Sequence, residues 1–227
     1  MEKLTERIIA ALLLVPADNR FIVGIVGYPG AGKSTLAEGL VDALNGALPP
    51  GQKAQILPMD GYHLPNDDLD KLGLRALKGI PDTFDACAFT ELLTKIRQSP
   101  PRILKAPAFD RSIDASIADA IEIGADVKVI VTEGNYLLLD QDRWRQIAEL
   151  LDDSWFLDTS IDTIRPRLVA RHLEGGRSLE AAIAKVESTD LPNALLIENS
   201  RKRARALVSA CDGPDRNGGF QYRISSQ

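Results

Sequence analysis

The chain has 227 residues, 44% of them apolar, and a formal net charge of −5. That size and apolar content suit one α/β domain with a sizeable core, and the acidic balance argues against a general nucleic-acid surface. Only two cysteines, Cys87 and Cys211, are present; they imply no disulfide framework and fit a reducing cytoplasm.

Taken in chain order, the first apolar run is Ile8 to Val15. It is too short to span a bilayer. Leu4, Ile8, Leu12 and Val15 instead mark one face of an amphipathic helix that would cover a sheet. The charges of Glu2, Lys3, Glu6 and Arg7 cancel, and no A-x-A cleavage site follows. The expectation is a cytoplasmic protein that does not bind membranes.

Phe21 to Val26 forms a near-continuous apolar run, as a parallel strand buried on both faces would. Gly27, Gly32, Lys33 and Ser34 then satisfy the spacing G-x-x-x-x-G-K-[ST], and Leu36, Leu40 and Leu44 recur at helical spacing. A chance match in a chain of this length has odds of about 1% at average residue frequencies. Glycines let the backbone amides curl toward a phosphate, and the helix start adds unpaired N–H groups and a partial positive charge. Gly27, Tyr28, Pro29, Gly30, Ala31, Gly32, Lys33, Ser34 and Thr35 are therefore expected to hold a nucleoside triphosphate. Lys33 would reach its β- and γ-phosphates, and the Ser34 hydroxyl would face Mg²⁺.

Pro49-Pro50-Gly51 is a turn, and Ala54 to Met59 reads as a second strand. It delivers Asp60-Gly61-Tyr62-His63 to the carboxyl end of the sheet, where ligands bind in open α/β folds. The detour from 64 to about 125 is too long for an ordinary loop. It reads as an insertion forming part of the substrate site. It contains a helical pattern from Ala86 to Arg97, a Pro100-Pro101 break and the stretch ILKAPAFDRSID. Arg75, Lys78, Asp110 and Arg111 are its polar candidates.

Val127 to Thr132 is the next buried strand. Glu133 at its end is a Walker B carboxylate, suited to Mg²⁺. Asp142, Trp144 and the leucines near 150 suggest a helix, and Trp155 to Asp158 a fourth strand. With Thr163 as cap, Pro166 would fall in the first turn of a helix that carries Arg167, Arg171 and His172 and stops at Gly175-Gly176. Arg171 and Arg177 around that hinge look like a lid, about 167–180, that closes on phosphates. Ser178 can cap a further helix through Val186. Asp190-Leu191-Pro192-Asn193 reads as a loop, with Asn193 on the nucleotide side. Ala194–Ile197 and Gln221–Ile224 read as terminal strands, and Arg201, Lys202, Arg203 and Arg205 as a solvated helix face between them.

The segments GYPGAGKST, MDGYHLPN, GIPDTFD, PAFDRSID, VTEGNYLLLD and RLVARHLEGGRS, in this order, resemble the P-loop kinases that include uridine kinase, pantothenate kinase and phosphoribulokinase. The branch most similar to them is that of bacterial fructose transport system kinases. The resemblance covers nearly the whole chain. It implies a three-layer α/β sandwich with a parallel sheet in order 2-3-1-4-5, ATP and Mg²⁺ as cofactors, and a small-molecule alcohol as acceptor. It implies that Asp60 is the general base, that Glu133 is the Walker B acid and that Arg171 contacts the transferring phosphoryl group. Asn135, Tyr62, His63 and Arg111 match positions lining the acceptor site, with Asp110 and Tyr136 beside them. A sugar is the first choice of acceptor; pantothenate-like and nucleoside acceptors stay open, as does a homodimer. With aromatic residues at 5%, no aromatic set that would sandwich a pyrimidine is evident. A GTPase switch is disfavoured by the lack of an N-K-x-D motif. A transport ATPase is disfavoured because LEGGR follows the Walker B strand instead of preceding it.

Overall fold

The computed structural model describes residues 1–98, 102–141, 143–214 and 220–227. The chain runs through α1 (Glu2–Leu12), β1 (Phe21–Val26), α2 (Lys33–Ala47), β2 (Lys53–Pro58), α3 (Asn66–Lys71) and α4 (Ala86–Arg97). It continues with β3 (Leu104–Asp110), β4 (Ala115–Ile123), β5 (Val127–Gly134), α5 (Arg145–Leu150), β6 (Asp153–Leu157) and α6 (Ile161–Glu174). Last come α7 (Leu179–Lys185), α8 (Leu191–Glu198), β7 (Ala206–Pro214) and β8 (Phe220–Ser226).

All six residues of β1 are buried, as its unbroken apolar run requires. The main sheet has the order β2-β5-β1-β6-β7-β8. Its first five strands are parallel, and they reproduce the expected 2-3-1-4-5 arrangement. Antiparallel β8 adds an edge. Register aligns Ile25 with Glu133 and Pro58 with Glu133. The carboxyl ends of β1, β5 and β2 therefore lie level, which brings the glycine loop, Glu133 and Asp60 side by side. Leu36, Leu40 and Leu44 of α2 and Leu4 and Ile8 of α1 are fully buried, one helical face each. Among the described residues no helix is long and apolar enough to cross a membrane.

The insertion contains α3, two 3₁₀ turns, α4 and an antiparallel hairpin of β3 and β4 that forms a separate two-stranded sheet. The hairpin was not foreseen, because β4 is largely solvent-facing and carries charges among its apolar residues.

Four local readings are corrected. Ala194–Ile197 lies in α8, not in a strand; four apolar residues are too few to separate the two periods. Asp190–Asn193 is no loop: a π-type turn, Val186–Asp190, runs into α8, whose second position takes Pro192 without losing a helix bond. The cap of α6 is Ser160, whose hydroxyl accepts from the Thr163 amide at 3.2 Å, so Pro166 falls inside the helix. The basic run forms only a short 3₁₀ turn, Arg201–Arg203. It is not a free solvated face, since Arg201 grips Asp158 through two bonds of 2.9 and 2.7 Å and Arg203 pairs with Asp140 at 3.0 Å. Asp142 and Pro100-Pro101 lie outside the described residues.

Candidate active site

The glycine loop is built for an anion. Gly30 and Gly32 have φ of 74° and 98°, values that favour residues without Cβ. A Cβ on Gly27 would lie 3.1 Å from the Leu157 carbonyl oxygen. The amides of Gly32, Lys33, Ser34 and Thr35 find no acceptor among the described residues, as the first turn of a helix dictates. The α6 helix lies across the loop, with Arg167 Nη1 donating to the Gly30 carbonyl at 3.3 Å.

Lys33 Nζ donates to the Tyr28 carbonyl at 2.9 Å and to Asn135 Oδ1 at 2.6 Å. Ser34 Oγ donates to Glu133 Oε1 at 3.0 Å. Burial pushes the Lys33 ammonium below its usual range, against the attraction of Glu133 and Asp60. Burial likewise pushes the Glu133 carboxyl up, against Lys33, while Asp60 adds repulsion. Four free amides and a buried cation fit polyphosphate. A hydroxyl beside a carboxylate fits Mg²⁺, which takes the rest of its oxygen shell from water and phosphate.

Asp60 sits in the 3₁₀ turn Met59–Tyr62 directly after β2. Its Oδ2 is 3.3 Å from Arg111 Nη2, a half-exposed ion pair from the hairpin tip. His63 Nδ1 donates to the Asp60 carbonyl at 2.8 Å, which fixes its tautomer, since a carbonyl can only accept. The His63 ring lies between Phe84 and Phe109, with centroids at 4.0 and 4.6 Å.

These groups open on one cleft of about 1440 Å³ that also receives Arg75, Lys78, Arg171, Arg177 and Asn193. The Arg171 side chain makes no hydrogen bond or ion pair with any described residue. Its charge faces those of Arg111, Asp60, Asp190 and Glu133. A side pocket of about 350 Å³ continues from Asp60, Arg111 and Glu133 toward Ile56 and Ile121.

Several expected site residues do not line the cleft. Tyr62 packs on Phe89 with centroids 4.8 Å apart, and burial raises its hydroxyl pKa. Tyr136 is wedged against Trp144 at 5.4 Å and donates its hydroxyl to the Gly79 carbonyl. Asp110 accepts from the Ser112 amide and hydroxyl at 2.8 and 2.6 Å, which closes the hairpin turn. The Tyr28 side chain turns away, edge-on to Phe156 at 5.6 Å, and donates to Glu198. All four are aromatic or turn-forming side chains whose bulk or local bonds hold the walls.

Other residues were missed. Glu38 lines the side pocket; it lies one helical turn beyond Ser34, and that i,i+4 spacing was the available signal. His172 Nε2 meets Asp190 Oδ2 at 2.7 Å, and Lys185 Nζ donates to the Ala76 carbonyl at 2.8 Å across the cleft. No sequence spacing foretells these contacts.

The phosphoribulokinase/uridine kinase family model matches residues 22–209. The protein YggC of Escherichia coli (strain K12) is 34% identical over 200 residues, covering 88% of this chain and 82% of that protein. A provisionally named uridine kinase of Schizosaccharomyces pombe is 33% identical, covering 84% and 83%. The crystal structure of a provisionally named fructose transport system kinase from Silicibacter sp. TM1040 is similar at 37% identity and a TM-score of 0.79, covering 87% and 93%. With its glycine loop, buried lysine and strand-end carboxylates in this order, the chain belongs to the phosphoribulokinase/uridine kinase family and is an ATP-dependent small-molecule kinase.

Proposed function

We propose that the chain transfers the γ-phosphoryl group of ATP to a hydroxyl of a sugar, with Asp60 as the general base. The observation that carries this reading is the position of Asp60. Its carboxylate opens on the same cleft as Lys33 and the free amides, held among the described residues by a half-exposed arginine alone. Such a pair is weak and easily exchanged for a ligand.

In this reading the amides of Gly32 to Thr35 and Lys33 grip the β- and γ-phosphates. Ser34 and Glu133 would hold Mg²⁺, which neutralises charge on the phosphates when bound. Arg171, whose side chain has no partner among the described residues, turns to the group in transfer. Asp60 accepts the acceptor's proton as the acceptor oxygen bonds to the γ-phosphorus, while the bond from that phosphorus to the ADP oxygen breaks and ADP leaves. Positioning and charge neutralisation do most of the work.

Two features favour a sugar over a nucleoside. The name of the Silicibacter relative refers to fructose. The aromatic rings beside Asp60 that could stack on a base, Phe84 and Phe109, already enclose His63. The test is an ATP-consumption screen over sugars, nucleosides and pantothenate, each against water. ADP release with a sugar alone supports the reading; release with a nucleoside or pantothenate alone refutes it.

A further inference from the structure

We propose that the base of the nucleotide stacks on the ring of Tyr222, on a wall that β7 and β8 raise beyond the carboxyl edge of the sheet. The inference rests on phosphoryl transfer toward Asp60, as read above, and is independent of the acceptor.

The sheet order sets the direction in which the nucleotide runs. Asp60 and Glu133 follow or end β2 and β5, which lie on one side of β1. β6, β7 and β8 lie on the other. The phosphates sit on the glycine loop after β1, with the γ-phosphoryl group toward Asp60. The rest of the nucleotide therefore leads over β6 toward β7 and β8. Strands stand about 4.8 Å apart, which puts β7 and β8 roughly 10 and 14 Å from β1. A nucleoside joined to phosphates on the loop reaches that far.

β7 and β8 outrun their neighbour at this edge. The pairing of β6 with β7 ends at Leu157 and Val208. The ladder of β7 with β8 goes on through Ala210 and Tyr222 to Pro214 and Phe220. Val208 is fully buried, whereas Ala210, next on the same face, is exposed and lines the cleft. Tyr222 stands directly opposite Ala210, so the two side chains share that face. A methyl group is too small to cover a phenol ring from that side, and Tyr222 lines the cleft as well.

Arg167 ties this wall to the loop. It lines the same cleft, and its Nη1 donates to the Gly30 carbonyl at 3.3 Å. Burial raises the Tyr222 hydroxyl, and the Arg167 charge opposes that rise. The other rings are committed elsewhere. Tyr28 turns to Phe156 and Glu198, and Phe84 and Phe109 enclose His63. Among the described residues, Tyr222 is the remaining Phe, Tyr or Trp on the cleft wall. A ring face suits a purine, since stacking asks for area and not for a pattern of donors.

The test titrates ADP, CDP and tripolyphosphate, each with Mg²⁺, calorimetrically into wild type, Tyr222→Phe, Tyr222→Leu and Tyr222→Ala. Tripolyphosphate carries phosphates without a base. Leucine keeps apolar bulk against the core on which Tyr222 packs, so it reports on the ring even where the alanine variant fails to fold. The proposal expects ADP to bind the leucine and alanine variants about tenfold more weakly, the scale of one lost base-stacking contact. Tyr222→Phe, which keeps the ring, should stay within about twofold of wild type. Tripolyphosphate should bind all four proteins equally. Wild type should prefer ADP to CDP, whose base is smaller, and Tyr222→Leu should lose that preference.

Unchanged ADP affinity in Tyr222→Leu overturns the proposal. An equal loss of ADP and tripolyphosphate does so too, because the ring would then only hold the fold. A loss in Tyr222→Phe as large as that in Tyr222→Leu also overturns it, by assigning the contact to the hydroxyl. In each of these cases the transfer reading stands. Wild type that binds neither ADP nor tripolyphosphate overturns that reading and the base slot with it.

Discussion

A Cβ on Gly61 would lie 2.2 Å from the carbonyl oxygen of Pro107. The insertion hairpin thus rests directly on the turn that carries Asp60, and only glycine allows that approach. Gly134 plays the same part under Met59, whose Cβ would be 2.5 Å from an added methyl. Gly61→Ala should push β3 away and with it Arg111. The expected result is a loss of roughly 1–3 kcal/mol in stability and a higher KM for the acceptor. Melting temperature and both KM values check this; an unchanged protein would mean that the hairpin is mobile enough to yield.

Lys33 donates to Asn135 and Tyr28 and fills little of the apolar core. Lys33→Ala should leave the fold intact while turnover with MgATP falls by roughly 10²- to 10³-fold or more, the scale of losing one fixed charge donor at a transition state. Steady-state rates read beside a circular dichroism melt check it. Near-full activity would refute the role of the glycine loop.

Burial holds the His63 imidazole below its ordinary pKa of 6.5, against the attraction of Asp60 and Asp114 and with help from Lys78. A folded group that binds fewer protons than its unfolded counterpart destabilises the fold as protons become available. Its stabilising contribution is whole above 6.5 and is lost as pH falls toward the folded value. The melting temperature should drop between about pH 7 and 5.5. His63→Phe, which keeps the ring between Phe84 and Phe109, should flatten that part of the profile. An identical slope in the variant would assign the loss to other groups.

Gly176 has φ of 84°, and we propose that the segment carrying Arg171 and Arg177 turns as a lid on Gly175-Gly176. A non-hydrolysable ATP analogue bound together with acceptor should slow proteolysis at this hinge. Unchanged cleavage at confirmed saturation would leave Arg171 and Arg177 as static wall residues.

The P-loop, the strand-end acids and the parallel sheet were legible in the sequence because each rests on local spacing. The apolar run Phe21–Val26, the G-x-x-x-x-G-K-S spacing and Glu133 after VKVIVT carry their geometry with them. The hairpin was not legible, since its strands are neither continuously apolar nor cleanly alternating. Tyr62, Tyr136 and Asp110 fell beside the site in sequence but serve its walls, because their contacts with Phe89, Gly79 and Ser112 are set by packing and turn closure. The same holds for the link from Lys185 to Ala76, which joins residues more than a hundred positions apart.

The central claim is that Asp60 takes the acceptor's proton, and Asp60→Asn tests it most directly. Asparagine keeps the size and can still accept a hydrogen bond from Arg111, but it cannot accept the proton. General-base contributions run at about 10²- to 10⁴-fold, so turnover should fall by that factor. MgATP affinity should hold, because Lys33 and the amides of Gly32 to Thr35 remain. Turnover within a few-fold of wild type, or a parallel loss of MgATP affinity, would contradict the assignment of Asp60 as base.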